Sequence, residues 1–279
     1  MATLPNPLPT LAADPSGRAL GLTLPPGRLI DATDEGPWHE PLLWHAETPA
    51  SVGVWTKLGA PAGRAGLLPV LIETGGSQGG PEDWNLMPGE VSYPGDHDAD
   101  EVLEELWEDS EGEDGEEWPG LAEVPEPAAE STDSTASAEP ADSPDPDTAA
   151  AEIADSLLLA GGGPFKDPHL ALVPARRSAD IPAAIGWSGP ANHEGDVARL
   201  CAILRSWEDR FGIRVVALGF DHLLVSVAAP PSTQADAEAL AAEHFAFCPD
   251  NIWQSSDTTL RAYAEHRLLN QPAWHFWWD

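Results

Sequence analysis

The sequence is poor in basic residues. Its 279 residues include 13 Lys and Arg against 47 Asp and Glu, which gives a formal net charge of −34. No Lys or Arg occurs between Arg64 and Lys166. Proteins that bind DNA or RNA contact the phosphates through clustered Lys and Arg, so this composition makes nucleic acid a very unfavourable partner. The same charge would attract a basic protein partner and accelerate its encounter.

Cysteines and long apolar runs are also scarce. Cys201 and Cys248 are the two cysteines, so the sequence predicts no disulfide framework, which suits a reducing cytoplasm. No apolar stretch approaches the ~18 residues of a membrane span, and the first residues lack the pattern of a secretory signal. We therefore expect a cytoplasmic protein with no membrane segment. The Arg to Lys ratio of 11 to 2 indicates a GC-rich bacterial genome.

An acidic tract divides the chain. Residues 96–155 contain 23 Asp and Glu, and residues 126–151 contain no aromatic or large aliphatic side chain. Such a segment cannot bury enough apolar area to offset the entropy of ordering, so we predict that it is disordered. The chain then has an amino-terminal lobe at 1–93, an acidic and largely disordered linker at 94–163, and a carboxyl-terminal domain at 164–279.

Both ends of the linker carry helical periodicity. Residues 98–109 place apolar side chains on one helical face, and residues 150–158 repeat this pattern before a run of three glycines. A lone short amphipathic helix is marginal in water, so each is expected to dock on the same chain rather than on a partner. The two apolar stripes are Val102, Leu103, Leu106 and Trp107, and then Ala150, Ile153, Ala154, Leu157 and Leu158.

The amino-terminal lobe is predicted to be a small α/β unit. Three short apolar runs, at 28–30, 41–45 and 67–73, have the length of strands, and 51–58 has the pattern of a helix. The glycine run at 75–80 follows a strand, as phosphate-binding loops do. However, no Lys-Ser or Lys-Thr pair follows it, and the acidic residues that do follow disfavour a phosphate, so we predict a plain loop.

The carboxyl-terminal domain has the clearest periodicity. Its order of strand, helix, two strands, helix, extra helix and strand is the pattern of a ferredoxin-like split βαβ sandwich with an added helix, an α+β fold. Thr233 is expected to cap one helix and Asp257 the added one. The predicted elements are strand 169–174, helix 195–211, strands 213–218 and 222–228, helix 233–248, helix 257–269 and strand 274–278.

Three segments of this domain resemble a known family. They are LRSWEDRFGIRVVALGFDHLLVSVAAPP at 204–231, AAEHFAFCPDNIWQ at 241–254 and WHFWWD at 274–279. The resemblance covers residues 170–279 and is to the bacterial family called domain of unknown function 4253, with HFAFCPD as its most specific motif. GLLPVLIE at 66–73 also resembles the region that precedes this domain in longer members. The resemblance implies a cytoplasmic bacterial protein with an α+β domain, and no established activity, cofactor or catalytic residue.

A reactive site can be built from residues of the HFAFCPD motif. His244 and Cys248 are four residues apart on one predicted helix, so both side chains can face one metal ion. Two ligands do not make a site, and we predict no metal and no cofactor. Cys248 with His244 or His222 as base has the residue types of a nucleophilic site, and Asp250 or Asp221 can orient the imidazole. The alternative is that Cys248 continues the apolar stripe of its helix as a small hydrophobic residue.

The residues after this motif are candidates for binding. Asp250 and Asn251 follow a helix-ending Cys-Pro, where they either cap the next turn through backbone N–H groups or bind a ligand, and the cap is favoured. Trp253 and the terminal tryptophans are expected nearby. On a two-faced strand Trp277 points away from the core, so it either meets a second layer of the sandwich, which is favoured, or offers a partner surface.

Two functions from different classes remain open. The first and favoured one is a non-catalytic binding or adaptor protein, with a groove formed by Asp250, Asn251, Trp253 and Trp277 and a basic protein as partner. The second is a small hydrolase or transferase that uses Cys248, His244 and Asp250. The two make different predictions, because the enzyme requires its three side chains to meet in an open cleft.

Overall fold

The structure, a computed structural model, describes residues 5–110, 117–123, 145–161 and 163–279. The strands are β1 (Gly27–Ile30), β2 (Ala32–Thr33), β3 (Gly36–Pro37), β4 (Leu43–Pro49), β5 (Leu68–Ile72), β6 (His169–Val173), β7 (Arg214–Leu218), β8 (His222–Ser226) and β9 (Ala273–Trp277). The α-helices are α1 (Pro9–Ala13), α2 (Val54–Arg64), α3 (Ala99–Asp109), α4 (Pro146–Leu159), α5 (Ile181–Ile185), α6 (Val197–Phe211), α7 (Gln234–Phe247), α8 (Asp250–Trp253) and α9 (Leu260–Tyr263). A π-helix at Ala264–Leu268 follows α9 directly.

A mixed sheet of seven strands lies at the centre, in the order β1-β4-β6-β5-β7-β8-β9. The pair β5 and β7 is parallel, with Leu71 opposite Ala217, and the other neighbouring strands are antiparallel. β6, which comes from the predicted carboxyl-terminal domain, lies between β4 and β5 of the predicted amino-terminal lobe. Strands from both regions thus share one sheet, while the domain boundaries at 93 and 164 stay a prediction.

The expectation of a mixed α and β fold is confirmed, but the strand order is not ferredoxin-like. That order requires the strand at 169–173 to lie between the third and fourth strands of its domain, whereas β8 and β9 pair directly. The reason is β5, whose residues 69–72 are all buried. The peptide groups of a buried strand need hydrogen-bond partners, which neighbouring strands at both edges supply. β5 finds them in β6 and β7, and it thereby separates two strands that local patterns had assigned to one closed unit.

Helices cover both faces of the sheet. Strand residues alternate between the two layers, so that Val70 and Ile72 pack beneath α3, α5, α6 and α7, while Leu71 packs beneath α1, α2 and α4. The first layer is rich in aromatic rings, among them Trp207, which stacks on Phe276 of the terminal strand. This layer positions α7, α8 and β9, where the sequence places its candidate residues.

The two amphipathic helices at the ends of the acidic tract dock on the same chain, as predicted. α3 begins after Asp98, whose carboxylate accepts hydrogen bonds from two backbone N–H groups, and its apolar stripe is buried. α4 begins at Pro146, four residues earlier than the apolar stripe suggests, because Asp145 caps it and Pro is favourable at the first helical position. Residues 146–151 are therefore helical where we expected disorder. The rest of the expected disordered segment lies mostly at 124–144, outside the described residues.

The added helix near the carboxyl terminus differs from the expectation. Thr259, rather than Asp257, caps it by accepting a hydrogen bond from the N–H of Ala262. After one turn the α9 helix changes to the π-helix, a rare form that is frequent at functional sites. Asp257 is left to bind side chains of the π-helix, which places two of them beside the terminal strand.

Candidate binding site

The terminal strand β9 forms one edge of the sheet and alternates as predicted. Trp274, Phe276 and Trp278 are buried in the core, whereas His275 and Trp277 point to the opposite face. β8 covers the inner edge of β9, so the outer edge needs other partners for its peptide groups.

Side chains that follow α7 supply those partners. Asn251 donates its amide N–H to the carbonyl of His275 at 2.7 Å and accepts the N–H of Trp277 at 3.2 Å. The thiol of Cys248 donates to the carbonyl of Trp277 at 2.9 Å. The side chain of Asn251 thus takes the place of a neighbouring strand. Asn251 thus makes structural hydrogen bonds to the terminal strand and not the turn cap that the sequence favoured, while its role in binding stays a prediction.

A cleft of about 420 Å³ lies along this edge. Asp250, Asn251 and Trp277 line it, so the structure brings together three of the four predicted binding residues. Trp253 lies outside the cleft, on the outward side of α8. The remaining lining residues are His222, Gln254, Ser255, Tyr263, His266, Arg267, Gln271, Ala273, Trp274 and His275.

Two stacked imidazoles form one side of the cleft. The rings of His222 and His275 have their centroids 5.1 Å apart, and Nε2 of His275 lies 3.2 Å from Nδ1 of His222. The ring of His275 also packs against Phe165. Burial of this ring, with smaller contributions from His222 and Arg267, lowers the pKa of His275 to about 4. His275 is therefore neutral near pH 7 and offers this part of the cleft a hydrogen bond instead of a charge.

The π-helix contributes an imidazole held by a carboxylate. Nδ1 of His266 lies 2.8 Å from one oxygen of Asp257, and Nε of Arg267 donates to the other oxygen at 3.0 Å. The hydrogen bond from His266, followed by that from Arg267, lowers the pKa of Asp257. Sequence reasoning missed this cluster because Asp257 resembles a helix cap. Nothing in local spacing shows that a chain segment will return nine residues later.

Cys248, His244 and Asp250 do not form a reactive set. Cys248 and His244 are fully buried, and their polar atoms contact different groups, the carbonyl of Trp277 and the hydroxyl of Tyr263. Burial raises the pKa of the Cys248 thiol and lowers that of His244 well below its usual range, which opposes a thiolate and imidazolium pair. Asp250 instead accepts hydrogen bonds from the N–H of Asp279 and the amide of Gln254. This geometry supports the small-hydrophobe interpretation of Cys248.

The outward side of α8 presents an exposed tryptophan. Trp253 is 57% exposed. Among the described residues, the one ring that its indole contacts is Phe245, in an edge-on arrangement. The imidazole of His193 bonds to the carbonyl of Ala246, near the end of α7. The charges of Glu194, Asp250 and Asp109 act on this imidazole, so these residues lie around the same end of α7. We define the Trp253 surface as Trp253 and Asp250, which share α8, together with Asp279, whose backbone N–H donates to Asp250.

Two general features of the described residues bear on the chemistry of the site. Within them, no group of three or more His, Cys, Asp or Glu side chains is placed to hold a metal ion. No helix among those same residues has the length and hydropathy needed to cross a membrane.

The family comparison covers the region that contains the cleft. Residues 169–279 match the model of the family described as Domain of unknown function (DUF4253). No curated protein matches the chain, and no solved structure does. The match confirms the resemblance over the carboxyl-terminal region and includes every residue that lines the cleft. Residues 169–279 of this chain are therefore similar to the family DUF4253.

Proposed function

We propose that this protein is a non-catalytic binding or adaptor module that takes up a basic segment of a partner protein at the Trp253 surface. The observation that carries the proposal is the exposure of Trp253. The chain has twelve tryptophans, all within the described residues, and Trp253 alone is exposed. An indole left in water while eleven others are wholly or partly buried is available to a partner, and tryptophan is enriched at the centres of interfaces.

The surroundings of Trp253 favour a cation as its ligand. A Lys or Arg side chain over the face of an indole gains about 0.5 to 2 kcal/mol, depending on how far the pair is desolvated. The carboxylates of Asp250 and Asp279 lie near one another, since the amide nitrogen of Gln254 is within 3.5 Å of both, and Asp250 is on the same four-residue helix as Trp253. A basic segment can therefore pair its charge with these carboxylates while one of its side chains covers the indole.

The buried cysteines support a binding role over the enzymatic alternative. Cys201 and Cys248 are both free and fully buried, and burial raises the pKa of each thiol. Neither is a competent nucleophile in this conformation. The free thiols also support a reducing, cytoplasmic location, and the Arg to Lys ratio supports a bacterial source. The cytoplasmic location and the bacterial source are both part of this proposal.

The proposal is tested with a synthetic peptide of alternating Arg and Gly, whose binding to the full chain is followed by fluorescence anisotropy. Attraction to the net charge contributes strongly at about 20 mM salt and is largely screened at about 150 mM. Trp253→Ala should weaken binding about tenfold at the higher salt concentration, where contact with the indole dominates. Trp253→Phe should give an intermediate loss, because the smaller ring keeps part of the contact.

Leu159→Ala provides the matched control, because Leu159 is 75% exposed at the end of α4 and belongs to a different part of the surface. It should leave the affinity unchanged at both salt concentrations. If Trp253→Ala binds as tightly as the wild-type chain at both concentrations, the peptide is held by general charge attraction and the Trp253 surface is not the site.

A further inference from the structure

A short segment of the acidic tract lies on the carboxyl-terminal domain without regular secondary structure. Residues 117–123 form neither helix nor strand, yet Ala122 within them is buried. Contacts from α3, α6 and α7 hold this segment in place. The contacts resemble those between a protein and a bound peptide, because they pair backbone and side chains of the segment with side chains of the folded core.

The centre of this contact is a buried ion pair. Glu243 on α7 is completely buried, and Arg210 on α6 is 11% exposed at its side chain. Both nitrogens of the guanidinium fork donate to the two carboxylate oxygens, and the indole N–H of Trp207 donates to the same carboxylate at 2.8 Å. A buried charged pair is costly unless its remaining hydrogen-bonding capacity is also used.

Ala122 uses that remaining capacity. Its backbone N–H donates to Glu243 at 2.7 Å, and its carbonyl accepts from Arg210 at 2.9 Å. The pair therefore recognises both polar groups of one residue, as an adjacent strand would, but with side chains. Recognition of this kind does not depend on the identity of the side chain at 122, provided that it is small enough for the buried position.

Two further residues make the recognition selective. The indole N–H of Trp118 donates to Asp100 at 2.8 Å, and its ring packs against Trp107, with centroids 5.7 Å apart. Gly120 has a φ of +85°, a left-handed conformation that L side chains rarely adopt. The segment thus presents an aromatic anchor, a glycine two residues later and a small residue four residues after the anchor.

We propose that the surface formed by Asp100, Trp107, Arg210 and Glu243 is a peptide-binding site, and that residues 117–123 are its resident ligand. The partner that fits is a protein segment with Trp, then Gly at the second and a small residue at the fourth following position. Such a segment would compete with the resident ligand for the same contacts. This site uses residues other than those of the Trp253 surface, although Trp107 and Trp253 both pack on Phe245, and it takes a peptide through backbone contacts, not a basic segment through charge.

The test measures whether the site binds the sequence of residues 117–123 when this sequence is supplied as a separate peptide. The probe is a fluorescein-labelled peptide with the sequence of residues 117–123, and binding to the full chain is followed by anisotropy. The wild-type chain should bind the peptide weakly, because its own segment occupies the site at a high effective concentration. A full chain carrying Trp118→Ala, which lacks the resident anchor, should bind at least about tenfold more tightly.

Peptide variants identify the contacts responsible. Methylation of the Ala122 nitrogen removes the donor to Glu243 and should weaken binding at least about tenfold. Replacement of Gly120 by L-Ala should weaken binding because of its φ, whereas D-Ala adopts that conformation readily and should keep the affinity of the parent peptide. Removal of the indole with Trp118→Ala in the peptide should abolish measurable binding.

A second measurement avoids any loss of folding caused by the substitution. Protease sites placed within 111–116 and 124–144 allow the otherwise unchanged segment to be cut on both sides, and the released peptide is then separated by dialysis. The cut protein should rebind the labelled peptide with the same ranking of variants. The proposal is overturned if neither protein binds the peptide at millimolar concentration, or if N-methylation of Ala122 and the choice of L-Ala or D-Ala make no difference.

Discussion

The sheet carries two stacked pairs of histidines, one among its inner strands and one at its edge. His45 and His169 lie on the neighbouring strands β4 and β6, with ring centroids 5.3 Å apart and planes 8° apart. His222 and His275 lie on β8 and β9, with centroids 5.1 Å apart. The stacking is similar in both pairs, but the surroundings differ. The inner pair lies beneath other parts of the chain, whereas the edge pair borders the cleft.

The difference decides what each pair can do. His45 is 2% exposed, and neither of its ring nitrogens has a hydrogen-bond partner among the described residues. Burial lowers the pKa of His45 to about 4, with a smaller contribution from His169. In the edge pair, Nε2 of His275 lies 3.2 Å from Nδ1 of His222, and both residues line the cleft. Protonation of His45 at low pH therefore destabilises the fold, while the edge pair can hydrogen-bond to a ligand in the cleft.

The largest expected effect concerns the inner pair and pH. A histidine with a pKa of 6.5 when unfolded and about 4 when folded binds fewer protons in the folded state between these values. Stability is therefore full above about pH 6.5, falls as pH decreases and has lost about 3 kcal/mol by pH 4, at 1.36 kcal/mol for each pKa unit. Urea unfolding of the wild-type chain from pH 7 to pH 4 measures this loss.

Other acidic groups also titrate in this range, so the informative quantity is the difference from a variant that cannot titrate at this position. His45→Phe keeps an aromatic ring against His169 and removes the ionisable nitrogens. Its unfolding free energy should fall less steeply with decreasing pH, so that the two curves diverge below pH 6.5. Parallel curves for the two proteins would show that His45 is not held neutral by burial.

Local sequence patterns predicted much of the fold and little of its pairing. The apolar stripe of α3, the Thr233 cap of α7 and the alternation of β9 were all readable, because they depend on residues a few positions apart. The placement of β5 between β6 and β7 was not, because periodicity shows that a strand is buried and does not identify its neighbours.

For the candidate site residues, too, local patterns were predictable and long-range contacts were not. The cleft brings together Asp250, Asn251 and Trp277, which the sequence offered as binding candidates because α8 and the terminal strand carry unusual polar and aromatic residues, and it leaves out Trp253. The partners of Asn251 on β9 are 24 and 26 residues away, and Asp257 binds residues 9 and 10 positions away. Such contacts depend on how loops return to the sheet, and no spacing rule encodes that return.

The second-largest expected effect concerns Asn251, whose side chain holds the strand that carries His275 of the edge pair. Asn251→Ala removes the hydrogen bonds to the carbonyl of His275 and the N–H of Trp277. We expect a loss of about 1 to 2 kcal/mol in the free energy of unfolding, because water from the cleft can replace part of the lost bonding. Amide exchange at Trp277 should also become faster.

Gln254→Ala is the matched control for this change. Gln254 also lines the cleft with an amide and is exposed, but among the described residues the hydrogen bonds of its side chain go to the side chains of Asp250 and Asp279. Its removal should cost less than about 0.5 kcal/mol. Equal losses for the two variants would mean that the amide of Asn251 is not what supports the edge strand.

The smallest effect on stability, and the sharpest comparison of the two pairs, comes from His222→Gln. Removing this ring takes away the repulsion that His222 exerts on a protonated neighbour but leaves the burial against Phe165, so the pKa of His275 should rise from about 4 and remain below 6.5. Chemical shifts of the histidine ring protons, followed through a pH titration, measure the change. Gln271→Ala, on the same cleft, removes no charge and should leave the titration of His275 where it is. An unchanged pKa in the His222→Gln protein would show that burial alone keeps His275 neutral, as it chiefly does for His45, and the edge pair would then differ from the inner pair only in its access to the cleft.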